Sequence, residues 1–195
     1  MNSSSRLPAS GWKSLLVQRH LVSTLVLSLF LLLGVVRTGV CQGWNEIRTA
    51  LLPDSSFALV EVEQSRKIRH CPHHDGAGNL DYEQLIYVLG TFEQESWQND
   101  SNRQEAWKHL QHHYDPFHER LMRQGLDRPL DINRAKLSEL VALPRIGPVL
   151  AVRIVAYRNR IGKFSKIEEI RKVDGIGATT YNAIRHYIKI NPHND

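Results

Sequence analysis

Apolar and polar positions in the C-terminal third of the chain follow a pattern that repeats after 30 residues. Leu137-Ser138-Glu139-Leu140 aligns with Ile167-Glu168-Glu169-Ile170, and Gly147 aligns with Gly177. Each copy predicts a helix, a tight Ile-Gly hairpin and a second helix. A unit this short cannot bury its own apolar face, so we expect the two copies to pack together. The predicted core residues of this repeat are Leu140, Leu143, Ile146, Ile154, Ile170, Ile176, Ile184 and Tyr187.

Polar residues, prolines and glycines set the boundaries of these elements. Asp131 or Asn133 can cap the first helix, and Pro148 suits a first helical turn because its missing N–H costs little there. The helix after the first hairpin is expected to stop near Gly162. The second copy predicts a helix over residues 166–173, a hairpin over residues 174–177 and a helix over residues 178–190.

The middle of the chain, residues 44–125, has a weaker pattern. Apolar and polar side chains alternate toward the end of residues 57–63, and this pattern predicts a strand. The sequence shows no partner strand for it. Asp81 is expected to cap a helix that ends at Gly90. Two more helices are predicted over residues 102–113 and 116–124, and a linker over residues 125–130 precedes the repeat.

Residues 21–36 are apolar without a single charge, and Lys13 and Arg19 precede them. This predicts that residues 1–43 are a signal peptide or a membrane anchor, with the N-terminus inside and the remainder exported. The expected location is the periplasm or the outer face of the cytoplasmic membrane. If cleavage follows Cys41, Cys71 remains either as an unmodified thiol or in an intermolecular disulfide.

The net charge of +5 is unevenly distributed along the chain. Residues 131–195 hold 12 Lys and Arg against 6 Asp and Glu, whereas residues 45–130 hold 9 against 14. A basic surface on the repeat favours a polyanionic partner. The hairpins add backbone N–H groups at helix N-termini, where the helix dipole favours phosphate. The predicted phosphate-binding residues are Gly175, Ile176, Gly177, Ala178, Thr179, Thr180, Arg145, Ile146, Gly147, Arg153, Lys163 and Lys166, with Arg171 and Lys172 adding long-range attraction.

Several segments of the repeat carry a resemblance to a known family: Asp131-Ile132-Asn133-Arg134-Ala135, Leu143-Pro144-Arg145-Ile146-Gly147-Pro148, Tyr157-Arg158, Gly162-Lys163-Phe164 and Val173-Asp174-Gly175-Ile176-Gly177. In order and spacing these segments resemble the ComEA-type helix-hairpin-helix domain over residues 130–190. The resemblance implies an exported or membrane-anchored protein that binds double-stranded DNA without sequence preference, in a setting such as DNA uptake during competence. The sequence contains no evident nucleophile motif, P-loop or nucleotide-binding glycine fingerprint, so neither catalysis nor a cofactor is expected.

The first hairpin departs from the family pattern. Arg145 stands where the family usually has glycine, at a position that favours positive φ. Val149 and Leu150 stand where a polar or basic residue usually follows Gly-Pro. The second hairpin is therefore the favoured phosphate site.

The predicted fold class is mainly α, with three parts. Residues 1–43 form the signal or anchor helix, residues 44–125 a small α-rich middle domain, and residues 126–195 a tandem helix-hairpin-helix domain. An alternative assigns the same fold to protein docking in an envelope complex, where the hairpin glycines only turn the chain.

A histidine-rich pattern in the middle segment offers a further alternative, metal binding. The candidate ligands are His70, Cys71, His73, His74, His109 and His113. His109 and His113 are four residues apart and share one helix face, which suits a common metal. The two groups would have to meet in space, so the favoured interpretation assigns no metal. An imperfect EF-hand pattern begins at His73, but its twelfth position is Gln84 rather than glutamate, which indicates a glycine turn instead of a calcium loop.

Overall fold

The computed structural model describes residue 44 and residues 46–191. The predicted signal or anchor over residues 1–43 lies outside this part of the chain. Within it, no helix combines the length and the apolar character needed to cross a membrane.

The described part of the chain is mainly helical and contains two small sheets. Its helices are α1 (Glu46–Ala50), α2 (Tyr82–Thr91), α3 (Asp100–Gln124), α4 (Leu137–Leu140), α5 (Pro148–Ile161) and α6 (Ala178–Ile184). Its strands are β1 (Phe57–Glu63), β2 (Arg66–Pro72), β3 (Leu130–Asp131) and β4 (Ile188–Lys189). Short 3-10 helices cover Asp54–Ser56, Phe92–Gln94 and Ile167–Lys172. Strands β1 and β2 pair antiparallel, and β3 and β4 pair parallel.

The predicted strand has a partner, so the middle segment is not purely α-helical. Strand β2 pairs with β1 in a hairpin that matches Phe57 with Pro72 and Glu63 with Arg66. Gln64 and Ser65 form the turn, with φ of 45° and 70°. Positive φ at both central positions of a two-residue hairpin is the pattern of a type I′ turn, which is normally signalled by Asn-Gly or Asp-Gly. Because this turn lacks those residues and β2 is mostly polar, the hairpin is hidden from a sequence pattern.

The two helices predicted over residues 102–113 and 116–124 are one helix, α3. Pro116 lies inside it. An interior proline removes one hydrogen bond and costs about 3 kcal/mol. Buried Ala106, Leu110 and Phe117 lie on both sides of the proline. Continuous packing along this face offsets the local cost and keeps the helix intact.

The C-terminal end of the repeat also differs from its prediction. Helix α6 ends at Ile184 rather than near residue 190, and the chain then pairs β4 with β3. The pairing is flanked by hydrogen bonds from Leu130 N to the Tyr187 carbonyl (2.8 Å) and from Ile132 N to the Lys189 carbonyl (3.1 Å). Tyr187 is 43% exposed, so its assignment to the core was wrong; Ile188 is buried instead. The other predicted core residues of the repeat are buried.

Two further predictions for the repeat were wrong, namely the type of one helix and the residue that caps another. The segment predicted as a helix over residues 166–173 is the 3-10 helix Ile167–Lys172. Asn133 does not cap a helix; its side-chain amide donates to the Phe164 carbonyl (2.9 Å) and accepts from Phe164 N (2.8 Å). The Asp131 carboxylate accepts from Asn133 N (3.0 Å) and so stabilises a turn before α4.

One hydrophobic core joins the middle segment to the repeat. Ile86 of α2 and Phe117 of α3 belong to the same buried cluster as Leu140, Ile154 and Ile184. The boundary proposed near residue 125 stays a prediction about folding units. A fragment that begins there would expose apolar surface that α2 and α3 cover.

A carboxylate of the middle segment also caps the first helix of the repeat. Glu83 in the first turn of α2 accepts hydrogen bonds from Leu137 N (2.9 Å) and Ser138 N (3.1 Å) of α4. It thereby satisfies amides at a helix N-terminus that have no intrahelical acceptor. The Ser138 hydroxyl donates to the same carboxylate. Helix α4 therefore depends on a residue far from it in sequence.

Cys71 lies in a second buried cluster with Ala58, Leu85 and Leu110. Its side chain is 1% exposed. A sulfur at this depth is out of reach of another chain, so the structure argues against the intermolecular disulfide, one of the two alternatives for Cys71.

Candidate functional site

The two hairpins of the repeat have the same backbone conformation. Arg145 and Gly175, which are 30 residues apart, have φ of 65° and 87°. Each turn is closed by an equivalent hydrogen bond, from Ile146 N to the Leu143 carbonyl (3.1 Å) and from Ile176 N to the Val173 carbonyl (3.0 Å). Arg145 therefore takes up the left-handed conformation that glycine would adopt more readily.

The isoleucines of both hairpins point into the core. Ile146 and Ile176 are each 2% exposed. Their side chains are therefore closed to DNA, and their N–H groups already close the two turns. Their burial anchors each turn and sets the position of the helix that follows.

A glycine N-cap precedes each second helix. Gly147 and Gly177 have extended backbones, and their carbonyls accept from Ala151 N and Tyr181 N, each at 3.0 Å. The first N–H groups beyond an N-cap have no intrahelical acceptor. Pro148 removes one of these donors from α5, whereas Ala178 leaves the first donor of α6 in place.

The two N-termini differ in accessibility. Gly177, Ala178 and Thr179 are exposed and Thr180 is half-buried. Gly147 and Pro148 are half-buried, and Gly90 of α2 lies close to the Pro148 carbonyl at the start of α5. The second hairpin thus presents more open backbone amides and a threonine hydroxyl, while the first presents the exposed apolar side chain of Val149.

Comparison with known proteins concerns this same segment. The helix-hairpin-helix motif family matches residues 127–189. The matched segment is about a third of the chain. ComE operon protein 1 of Bacillus subtilis (strain 168) is 41% identical to it over 61 residues, which cover 31% of this chain and 30% of that protein.

Eukaryotic relatives share the same domain. The endonuclease/exonuclease/phosphatase family domain-containing protein 1 of Danio rerio is 42% identical over 65 residues, and that of Homo sapiens is 41% identical over 59 residues. These matches cover 33% and 30% of this chain, but only 12% and 10% of the relatives. The chain therefore spans only about a tenth of the length of these relatives. No solved structure matches the chain.

Arg153 joins two elements of the helix-hairpin-helix domain, a role that the amino-acid sequence does not indicate. Its guanidinium lies 3.0 Å from the Asp174 carboxylate and donates to the Asp174 carbonyl at 3.2 Å. The side chain thus links α5 to the second hairpin, and Asp174 partly offsets its charge. Glycine is favoured at position 175 by its φ of 87°. A Cβ there would lie 2.8 Å from Leu150 Cδ2 and 2.9 Å from the Arg153 guanidinium, which are ends of flexible side chains that can move aside.

The other predicted basic residues lie on exposed parts of the domain. Arg145 is at the tip of the first hairpin, and Lys163 and Lys166 flank buried Phe164 in the loop after α5. Lys172 pairs with Glu169 at 3.0 Å. Arg145, Lys163 and Lys166 are all exposed, so each can approach a phosphate from solvent.

The histidine pattern forms a second candidate site in the described residues. His73 and His74 follow β2, and His109 and His113 lie on α3. One ring nitrogen from each of the four lies within 4.8 Å of the others. His70 is not part of this group, because it pairs with Glu61 and Glu95. Cys71 is not part of it either, because its side chain lies in the apolar core.

Three of the four rings are held in the neutral form. Burial lowers the pKa of His73 to about 3, opposed by the Cys71 carbonyl and reinforced by the neighbouring rings. Burial also lowers the pKa of His109 and of His113, and nearby imidazoles add to both shifts. These three imidazoles therefore carry no charge at neutral pH.

A buried ion pair joins His70 to Glu61. The Glu61 carboxylate is 3% exposed and lies 3.1 Å from the Nε2 atom of His70. Burial raises the pKa of Glu61, but hydrogen bonds from Asn102, Gln98 and His70 outweigh it and hold the pKa below its usual value. Burial lowers the pKa of His70, but the carboxylates of Glu95 and Glu61 outweigh it and hold that pKa above its usual value.

Replacing His70 with glutamine is expected to cost most stability in weakly acidic solution. Because the folded-state pKa of His70 is raised, its stabilising effect is complete below its unfolded value of 6.5 and is lost as pH rises through the folded value. Each lost charged hydrogen bond costs about 1.5–3 kcal/mol. Urea unfolding of both proteins between about pH 5.5 and 9 measures the difference in unfolding free energy. A difference that grows with pH would contradict a protonated His70.

Proposed function

We propose that this protein binds double-stranded DNA without sequence preference through its helix-hairpin-helix domain. The observation that carries the proposal is the exposed N-terminus of α6, where Gly177, Ala178 and Thr179 are accessible within the matched domain. The resemblance to ComEA-type domains supports DNA as the polyanion, and the excess of Lys and Arg over residues 131–195 agrees with it.

The binding mechanism uses backbone amides and long cationic side chains. Amides of Ala178, Thr179 and Thr180 donate to phosphate oxygens, and the Thr179 hydroxyl adds a further donor. Arg145, Lys163 and Lys166 supply electrostatic attraction. None of these groups reads a base edge, so the contacts position the protein on the duplex without selecting a sequence. The tandem arrangement gives two hairpins, of which the second is the principal site.

We also propose that the protein acts outside the cytoplasmic membrane, with residues 1–43 as its signal peptide or anchor. The uncharged stretch over residues 21–36 behind Lys13 and Arg19 supports this location. A DNA-binding domain in that location suits the capture of external DNA, as in competence. The similarity to ComE operon protein 1 supports the competence part of this proposal.

The proposed role is binding rather than catalysis. The relatives whose names include endonuclease/exonuclease/phosphatase match only the helix-hairpin-helix segment, which is 10% of the Homo sapiens protein. The shared segment therefore supplies a reason for nucleic-acid binding and none for hydrolysis. Docking to an envelope protein is the competing function, and the response to salt separates the two.

The affinity of the full-length chain for duplex DNA is expected to fall steeply as salt increases. Each neutralised phosphate contributes about −0.9 to the slope of log affinity against log salt, so three cationic contacts give about −2.7. Fluorescence anisotropy with labelled duplexes of two unrelated sequences measures both the slope and the specificity. The full chain is needed because α2 and α3 cover part of the domain's core.

If the protein binds DNA through its phosphates, this titration should show binding at low salt to both duplexes. Both duplexes should bind with equal affinity, since phosphate contacts carry no base information. The absence of binding at low salt, in a chain whose circular dichroism shows folded helices, would favour the docking alternative. A strong preference for one sequence would contradict the backbone-phosphate mechanism.

A further inference from the structure

Two distant segments of the chain bring four imidazoles together. His73 Nε2 lies 3.0 Å from His109 Nε2, and His74 Nε2 lies 3.4 Å from His113 Nε2. His109 and His113 are one helical turn apart on α3 and face the loop that follows β2. The group contains no carboxylate and no thiolate, so all four potential ligand atoms are nitrogens.

Hydrogen bonds to the backbone fix the tautomers of the two loop histidines. His73 Nδ1 lies 2.9 Å from the Cys71 carbonyl, and His74 Nδ1 lies 2.9 Å from the Gly78 carbonyl. A carbonyl oxygen can only accept, so each Nδ1 carries the hydrogen and each Nε2 presents a lone pair. Metal-ligating histidines characteristically donate their second ring N–H in this way, which orients the ring and raises its basicity.

The loop that carries these rings is tied down by its backbone. His73 N donates to the Ser56 carbonyl at 3.0 Å, and Asp81 N donates to the His73 carbonyl at 2.9 Å. His74 forms an antiparallel bridge with Leu80. The Asp75 carboxylate accepts from Ala77 N and Asn79 N, which closes the turn between them. The two loop imidazoles are thus held in place before any ligand arrives.

We propose that His73, His74, His109 and His113 form a four-coordinate site for a divalent transition metal, with zinc as its metal. Tetrahedral zinc with Zn–N bonds of about 2.0–2.1 Å requires ligand nitrogens about 3.3–3.4 Å apart. The closest pairs are at 3.0 and 3.4 Å, and the whole group lies within 4.8 Å. Rotation of the His109 and His113 side chains closes the wider nitrogen–nitrogen separations, because both residues already lie on one face of α3.

The ligand set selects the class of metal. Imidazole suits zinc, copper and nickel, whereas magnesium and calcium require oxygen ligands. Four protein ligands complete a tetrahedral shell and leave no position for a reacting water, which is the arrangement of a structural zinc site. Exposed His109 provides a route from solvent into the site, while His73 closes its inner side.

A metal here would join two elements that are far apart in sequence. The loop following β2 supplies two ligands, and α3 supplies the other two, 36 and 39 residues further along the chain. Because the unfolded chain has no such preformed site, the free energy of metal binding stabilises the fold. The site would secure the β-hairpin to the long helix, separately from the DNA-binding hairpins.

Zinc binding is tested on the full-length chain, purified with a tag that contains no histidine and stripped with a chelator. After reloading and gel filtration, mass spectrometry of the metal is expected to find about one zinc per chain. Zinc at 100-fold above its dissociation constant should raise the unfolding temperature by about 5–10 °C. X-ray absorption should show nitrogen ligands at about 2.0 Å. Calcium and magnesium should produce no shift.

Matched histidine variants locate the site. His109→Gln and the double variant His109→Gln/His113→Gln should keep the metal-free unfolding temperature and lose the zinc-dependent increase. His112→Gln changes an exposed histidine of the same helix outside the group, and it should retain the full increase. Failure of the wild-type chain to retain zinc would overturn the proposal, as would zinc retention by the double variant. Binding of copper but not zinc would overturn the assignment to zinc.

Discussion

Replacing Gly177 with valine is expected to weaken duplex DNA binding by about tenfold or more, equivalent to about 1.5–3 kcal/mol for a lost charged hydrogen bond. A Cβ at Gly177 would meet no atom within 4 Å, and the backbone φ of −85° is open to any residue. The fold should therefore tolerate the valine. The added side chain instead occupies the space through which a phosphate must approach the amides of Ala178 and Thr179.

Gly147 provides a matched control for this substitution. It has the same N-cap position, a φ of −93° and likewise no atom within 4 Å of an added Cβ. Gly147→Val should reduce affinity less than Gly177→Val, because Pro148 removes an amide donor from α5 and the first hairpin is less exposed. Anisotropy titrations at one salt concentration, with unfolding temperatures measured in parallel, make the comparison. Unchanged DNA affinity in Gly177→Val would refute the role of the second hairpin.

Replacing Gly90 with valine is expected to destabilise the protein by about 3 kcal/mol, near the upper end of the usual cost of overpacking. A Cβ at this position would lie 2.5 Å from Val152 Cγ2 and 2.7 Å from the Pro148 carbonyl oxygen. The second contact is with backbone, so a change of side-chain rotamer cannot relieve it. Helix α2 would have to move away from α5 and disturb the shared core.

Urea unfolding of Gly90→Val and wild type at one pH measures this cost. Gly76→Ala is a suitable control, since its Cβ would make only ordinary contact with Leu52 at 4.0 Å. The double variant Gly90→Val/Val152→Ala should recover only part of the loss, because the Pro148 carbonyl remains. Wild-type stability in Gly90→Val would show that α2 and α5 are not packed as closely as the structure indicates.

The helix-hairpin-helix domain was predictable because its signals are local. The spacing of Leu140, Ile146 and Ile154, repeated 30 residues later, indicates both the helices and the core. Pro148 marks the start of α5, and the substitution of Arg145 for glycine correctly located a residue with positive φ. Such features follow from backbone geometry and hydrophobic periodicity, which short stretches of sequence encode.

The features missed from the sequence depend on distant partners. Strand β2 is hidden because its pairing with β1, rather than its own composition, makes it a strand. Helix α3 continues through Pro116 because the packing on either side outweighs the proline. The role of Arg153 depends on Asp174, which lies in the second hairpin. None of these partners can be deduced from the spacing of residues within one element.

The four histidines show most clearly which features follow from local sequence and which depend on distant partners. The sequence supplied the residue types and the four-residue spacing of His109 and His113, and thereby the helix face that they share. Only the tertiary structure could decide that His73 and His74 meet them, and that His70 and Cys71 turn away. Residues of one helix are related by local geometry, whereas the meeting of a loop and a helix depends on how the whole core packs. The sequence by itself therefore determined the helix-hairpin-helix domain and its basic charge, and the fold decided which hairpin is open and which histidines converge.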